Sequence, residues 1–424
     1  TEQARRGAGF LGMIPDCFPE DQELPEPKDL NGILACGLTL TEIRDRNLAL
    51  ASRPEFQYQL AFREQPLPEL EPPADPARIS LTFNFSGLEQ VLDLFKREEI
   101  SLDQARKAAV YPVFLHMLEH RRNLGYVPEP LPDREDLAWM IHTVASRDPL
   151  PQLWKWLNPF NLFNLADVYL QCKKYRRLLD TVQEGEDDLL SYAAGVLAQY
   201  LPQGTHFQEE IAFGVNWGIR SWTTDHSLGT NLPQYKDDYQ ALLKTITHEL
   251  FHKIQQMLCP AGPEAEQAGK KTFSAITSYP FSEETDRVFY RTLSYLVLEG
   301  SATLVGGPEE VWQLEEHAGR GAAFLEDTHR LIYQQGDLEE AEAVLSRGLQ
   351  SNGPYYALGY WISRKLSEEH GKQKLGELLQ AGPLAFLAAY LALEDPKAEK
   401  VGIAIPGPVR EEIIRLDGIY RSLH

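Results

Sequence analysis

Two histidines and a glutamate in Thr247-His248-Glu249-Leu250-Phe251-His252 have the spacing of a metal site carried by one helix. Residues four apart project from the same helical face about one turn apart, so both imidazoles can reach a single ion. Glu249, one position on, lies beside that face, where a carboxylate can take a proton from a metal-activated water and return it to a leaving amine. Catalytic zinc usually takes three protein ligands and keeps one position for water, which calls for a third donor from another element. Glu299 is the candidate. It stands in Tyr295-Leu296-Val297-Leu298-Glu299-Gly300-Ser301-Ala302-Thr303, an apolar helical stretch where a carboxylate without a counter-charge would be costly. One Zn(II) per chain, bound by His248, His252 and Glu299, is the expectation.

The pairing of H-E-L-F-H with E-G-S-A resembles the gluzincin zinc peptidases, whose third ligand sits in a glutamate-glycine-small-residue context on a second helix. The resemblance spans roughly residues 204 to 371. Among these proteins the chain looks most like a poorly characterised, mainly helical group assigned as zinc-dependent peptidases, which share the two motifs and a later tyrosine-glycine helix. It implies hydrolysis of a peptide or protein substrate, with the strand before the metal helix offering its edge to extended substrate backbone. The segment from Phe213 to Trp222 is placed for that role. One departure is Thr303, four residues after Glu299, where thermolysin-like members carry an aspartate that orients a zinc-bound histidine. The partner of the zinc histidines is therefore left open.

Water attack on a carbonyl also needs a donor for the developing oxyanion, commonly a tyrosine or histidine from a later element. Tyr355 and Tyr356 open a helix in Gly353-Pro354-Tyr355-Tyr356-Ala357-Leu358-Gly359-Tyr360, and the resemblance implies that one of this cluster faces the metal. Tyr356 is favoured, since Gly359 and Tyr360 would share its face. These tyrosines and Trp361 also read as core and rim aromatics, and His226 is a further candidate donor.

A second zinc-like pattern competes. His116-Met117-Leu118-Glu119-His120 has the reversed H-x-x-E-H spacing, with a third ligand to be sought among Glu184, Glu186, Asp187 and Asp188. That acidic run reads better as a solvated helix entry, and Arg121 and Arg122 would place positive charge beside a dication. The bland reading is a helix on which Glu119 pairs with a neighbouring arginine.

These motifs need helices to carry them. Candidates run from Asp133 to Ser146, Asn161 to Thr181, Leu189 to Tyr200, Asp237 to Leu258, Glu284 to Leu304, Ala322 to Gln334, Tyr355 to Glu369 and Val409 to Tyr420, with a buried helix from Pro383 to Leu393. Ser86 with Glu89, and Ser101 with Gln104, have capping-box spacing. Between Gly204 and Leu232 apolar residues recur at alternate positions among glycines, which predicts a small sheet just before the metal helix. The predicted class is mainly α (α+β): a helical gluzincin-like unit with a small β-sheet next to the H-E-x-x-H helix. Prolines 66, 68, 72, 73 and 76 mark a linker, preceded by one helix at Leu40–Ala51. The expected division is an N-terminal appendage and linker at 1–77, a helical subdomain at 78–203 and a zinc-binding subdomain with C-terminal helices at 204–424.

Composition bounds the remaining choices. A hydrophobic share of 43% and a charged share of 24% over 424 residues are those of an ordinary globular protein. A formal net charge of -21 argues against a nucleic-acid partner, whose affinity is built on lysine and arginine contacts. No apolar run reaches the length of a membrane span. Cys17, Cys36, Cys172 and Cys259 form no C-x-x-C pair and read as small buried hydrophobes. The chain opens at Thr1 without a leader, and the reading leans to an exported or cell-envelope protein whose leader is absent from this sequence. Two rivals stand beside the peptidase: a zinc amidohydrolase or esterase, and a non-catalytic scaffold braced by a structural or vestigial zinc site. Oligomeric state is not legible.

Overall fold

The computed structural model describes residues 78–97, 100–114, 134–146, 165, 168, 171–214, 221–224, 228–235, 239–261, 272–278, 281–307, 313–350 and 353–422. The 1–77 appendage with its helix, the reversed histidine motif, residues 215–220 and His226 lie outside them.

Strand β1 (Ile79–Asn84) opens the described chain and leads into α1 (Ser86–Phe95), α2 (Leu102–Ala109) and α3 (Arg134–Ser146), then α4 (Cys172–Glu184) and α5 (Glu186–Ala198). Strands β2 (Phe207–Gly214), β3 (Ser221–Thr223) and β4 (Leu228–Asn231) precede α6 (Tyr239–Leu258), the helix of the H-E-x-x-H motif. The short α7 (Phe273–Thr277) is followed by α8 (Glu284–Gly306), which carries Glu299, and by α9 (Leu314–Arg330), closed by a π-helical turn at Leu331–Gln335. Helices α10 (Leu338–Gly348), α11 (Pro354–His370), α12 (Lys372–Gln380), α13 (Pro383–Leu391), α14 (Pro396–Lys400) and α15 (Gly407–Ser422) complete the described chain. The protein is mainly α-helical with one small sheet, and no described helix is long and apolar enough to cross a membrane.

The sheet has the order β1-β2-β4-β3. β1 and β2 pair in parallel with Ile79 opposite Phe207, β2 and β4 in parallel with Ile211 opposite Leu228, and β3 runs antiparallel to β4 with Trp222 opposite Gly229. β1 was not expected: the proline-rich stretch before it and the helices after it hide six residues, I-S-L-T-F-N, that do alternate. A strand needs a partner to exist, and this one's partner lies 128 positions away at Phe207. The helix after β1 also corrects a cap assignment. Its N-cap is Phe85, with no side-chain cap bond, and Ser86 Oγ instead turns back to Asn84 Oδ1 at 2.6 Å. The Ser101 and Gln104 pair does form the full capping box.

Helix α8 is buried on almost every side, and Leu293, Leu296, Leu298 and Ala302 are inaccessible to solvent. Such a helix must let its neighbours come close, and α11 does so at two glycines. A methyl group on Gly300 would lie 2.1 Å from the Gly359 carbonyl carbon, and one on Gly359 only 2.0 Å from the Leu296 oxygen. The two backbones therefore touch one residue from Glu299 and three from Tyr356, which is what the small residue after the glutamate is for.

Gly300→Ala and Gly359→Ala should each push α8 and α11 apart and destabilise the protein by about 1–3 kcal/mol or more, as over-packing of a tight core does. Urea unfolding of the two variants against the unaltered chain measures this; a change below about 0.5 kcal/mol would contradict the close contact.

Candidate metal centre

Helix α6 presents His248 and His252 on one face, with ring centroids 4.7 Å apart and Nε2 atoms 3.0 Å apart. Glu299 arrives from α8, its Oε2 lying 3.5 Å from His248 Nε2 and 3.3 Å from His252 Nε2. These three donor atoms lie within 4.8 Å of one another, the only such group of metal-capable side chains among the described residues. Zinc bonds of about 2.0–2.1 Å in tetrahedral geometry separate neighbouring ligand atoms by roughly 3.3–3.4 Å. The observed spacings bracket that value, so the donor set fits zinc in both chemistry and size. His252 is 7% exposed, Glu299 13% and His248 18%. The open side of the trio is at His248.

The side chain that orients His252 is Gln255. Its Oε1 lies 2.7 Å from His252 Nδ1, while its amide nitrogen donates to the Leu298 carbonyl at 2.7 Å and to Ser301 Oγ at 2.9 Å. Because that nitrogen is committed as a donor, Oε1 is left to accept, so Nδ1 carries the proton and Nε2 faces His248 and Glu299. The same amide ties α6 to α8 at both sides of Glu299. Ser301 is itself held by donating to the Val297 carbonyl at 2.7 Å. A glutamine three residues after the second histidine is an i,i+3 neighbour on the same helix, a signal that spacing alone could supply. The Thr303 hydroxyl instead donates to the backbone carbonyl of Glu299 at 2.8 Å.

The two tyrosines part company. Tyr356 stacks on the His248 ring at 6.5 Å and 20°. Burial, and then the Glu299 and Glu249 carboxylates, raise its pKa well above that of a free phenol, so it remains a proton donor at any working pH. Tyr355, one position earlier, points the other way. It is fully buried, shares a hydrogen bond with Thr328 Oγ1 at 3.0 Å and packs edge-on against Phe324. Successive helical residues are 100° apart, so only one of an adjacent pair can face the centre. Glu249 is half-buried, and its Oε2 accepts from Thr223 Oγ1 on β3 at 2.6 Å. Phe273 of α7 closes the far side, edge-on to His252 at 5.1 Å and tilted against Tyr295 at 5.9 Å.

Residues 158–394 match the family model described as "Putative zinc dependent peptidase (DUF5700)". This match covers more than half of the chain and takes in both ligand helices and α11. The chain belongs to that family. No curated protein and no solved structure matches it.

Without metal the trio is a coupled acid–base group. Burial alone would disfavour a charged His252, but Glu299 and then Glu249 raise its pKa to about 9. Burial likewise opposes ionisation of Glu299, yet the two histidines hold it well below the usual carboxylate range. Below about pH 9 a metal ion must therefore displace a proton from His252, while Glu299 is already ionised. Apparent zinc affinity should rise about tenfold per pH unit from pH 6 to 8, with close to one proton released per ion; calorimetry in buffers of different ionisation enthalpy measures both. A flat profile would contradict the coupling. Gln255→Ala should weaken zinc binding by about 10- to 100-fold in a competition assay with a coloured chelator.

Proposed function

We propose that the protein is a gluzincin-type zinc metallopeptidase in which His248, His252 and Glu299 hold one zinc ion and Glu249 is the general base and acid. The observation that carries this reading is the convergence of a glutamate from a second helix on two histidines of an H-E-x-x-H helix, at zinc-sized separations. Membership of a zinc-dependent peptidase family supports the same reading.

When bound, zinc supplies Lewis acidity that brings the ionisation of a water into the neutral range. Glu249 takes the proton released by the attacking water as the new C–O bond forms and the carbonyl becomes a tetrahedral oxyanion, and it passes that proton to the amine as the carbonyl re-forms and the peptide C–N bond breaks. Tyr356 donates its hydroxyl proton in a hydrogen bond to the oxyanion that develops on the carbonyl. Strand β3 lies at the edge of the sheet, beside Glu249, and accepts an extended substrate backbone along that edge. Tyr355 has no part in this scheme and braces α11 against α9.

The test is zinc content per chain by elemental analysis, followed by peptide hydrolysis, on the unaltered protein, Glu249→Gln and His252→Ala. One zinc in the unaltered protein, lost with His252→Ala, and retained in a Glu249→Gln variant whose turnover falls by at least about a thousandfold, is the expected result. Turnover of small amides or esters without peptide cleavage would move the activity to an amidohydrolase or esterase. Zinc without any turnover would leave a structural site.

A further inference from the structure

Glu249 does not lie free beside the histidines. The 2.6 Å contact from Thr223 Oγ1 to Glu249 Oε2 is a short hydrogen bond to a carboxyl oxygen, and it comes from a strand of only three residues. So short an edge strand would fray unless tied down. Three ties hold it. Ser221 Oγ bonds Thr230 Oγ1 and the Tyr235 hydroxyl, each at 2.8 Å. The Trp222 ring lies across Gly229 of β4, where an added methyl would come within 2.0 Å of it. The third tie comes from α6 itself: buried Lys253 donates to the Thr224 carbonyl at 2.9 Å and lies 3.7 Å from Glu209 Oε2 on β2.

Glu249 and Lys253 are one helical turn apart, so both reach the sheet from the same face of α6. Lys253 fixes the backbone after Thr223, β4 fixes the backbone before it, and the Thr223 hydroxyl is left aimed at the carboxylate. A glutamate side chain on a helix has three rotatable bonds, and a general base works only within hydrogen-bonding reach of its proton. One carboxylate oxygen held by a rigid strand leaves the second for proton transfer.

We propose that Thr223 is a positioning residue for this chemistry, holding the Glu249 carboxylate in its working rotamer through Oε2, with Lys253 as the clamp that fixes the strand. The inference rests on the peptidase reading for its kinetic consequences but not for its binding ones. Thr223 acts through Glu249, to which both of its side-chain hydrogen bonds go.

The experiment uses the full chain loaded with zinc, as the unaltered protein, Thr223→Val and Thr223→Ser. Valine keeps the shape of threonine and removes the donor; serine keeps the donor. Thr223→Val should lower kcat by about 10- to 100-fold with KM within about twofold, and serine should restore kcat to within about threefold, at one zinc per chain throughout. The second readout needs no turnover. Acetohydroxamate is a small zinc chelator whose hydroxyl proton must be accepted by a base beside the metal, and its affinity by calorimetry should fall about 5- to 20-fold in Thr223→Val, recover in Thr223→Ser, and show no further fall when Thr223→Val is added to Glu249→Gln. Unchanged kcat and acetohydroxamate affinity in Thr223→Val, failure of serine to restore them, or an additive loss in the double variant would overturn the proposal. If the unaltered protein binds zinc but cleaves no peptide, the peptidase reading fails by itself and the acetohydroxamate series still decides the role of Thr223.

Discussion

A carboxylate taken out of water between two imidazoles is the constraint to which the surrounding structure answers. Glu299 sits within 3.5 Å of both histidine Nε2 atoms on a helix most of whose buried side chains are apolar. An ionised carboxylate there is tolerable only with positive charge beside it. In the metal-free protein that charge is a proton on His252, whose pKa Glu299 and Glu249 raise against the opposing effect of burial. A dication would replace the proton and could satisfy all three side chains together. The site is thus prepared for a cation by the same electrostatics that would make an empty, deprotonated trio unstable.

Holding that geometry falls to helix packing. The centre needs α6 and α8 to keep their spacing to a few tenths of an ångström, and two devices meet the need. One is the Gln255 amide, which bridges His252 to the Leu298 carbonyl and Ser301. The other is the backbone contact of Gly300 with Gly359, which brings α11 close enough for Tyr356 to stack on His248. The sequence Glu299-Gly300-Ser301 thereby combines three neighbouring features: a carboxylate facing the two histidines, a point of helix contact and an acceptor for the orienting amide. The sheet supplies a fourth constraint, since β3 meets Glu249 and is itself held by Lys253 from the metal helix.

Function in this arrangement follows from a division of roles between helix and strand. The helices bring together groups that could hold an ion, and rigid elements place such groups more sharply than loops. The strand sets the carboxylate beside them and lies at the sheet edge where extended backbone can add. Tyr356 completes the ring from a third direction. The long helices α8 and α11 and the C-terminal helices packed on them give these parts a common frame.

Local periodicity was enough to place most of the helices. The expected Asp237–Leu258, Glu284–Leu304 and Tyr355–Glu369 appear as Tyr239–Leu258, Glu284–Gly306 and Pro354–His370, because apolar spacing and end signals are written within each segment. The H-E-x-x-H pair and the glutamate isolated in an apolar run were legible for the same reason: each is a local statement about one helix. What brings His248, His252 and Glu299 within 4.8 Å is not local, and only the packing of α6 on α8 decides it. For the tyrosines, the spacing of Gly359 and Tyr360 leaned to Tyr356, and the packing of α11 sets that residue against His248 and Tyr355 against Thr328. Pairing of β1 with β2 across more than a hundred residues, and the meeting of Thr223 with Glu249, had no signal in either segment taken alone. Residue type and spacing determined which groups could do the chemistry; the crossing of helices and the clamping of one short strand decided which of them meet.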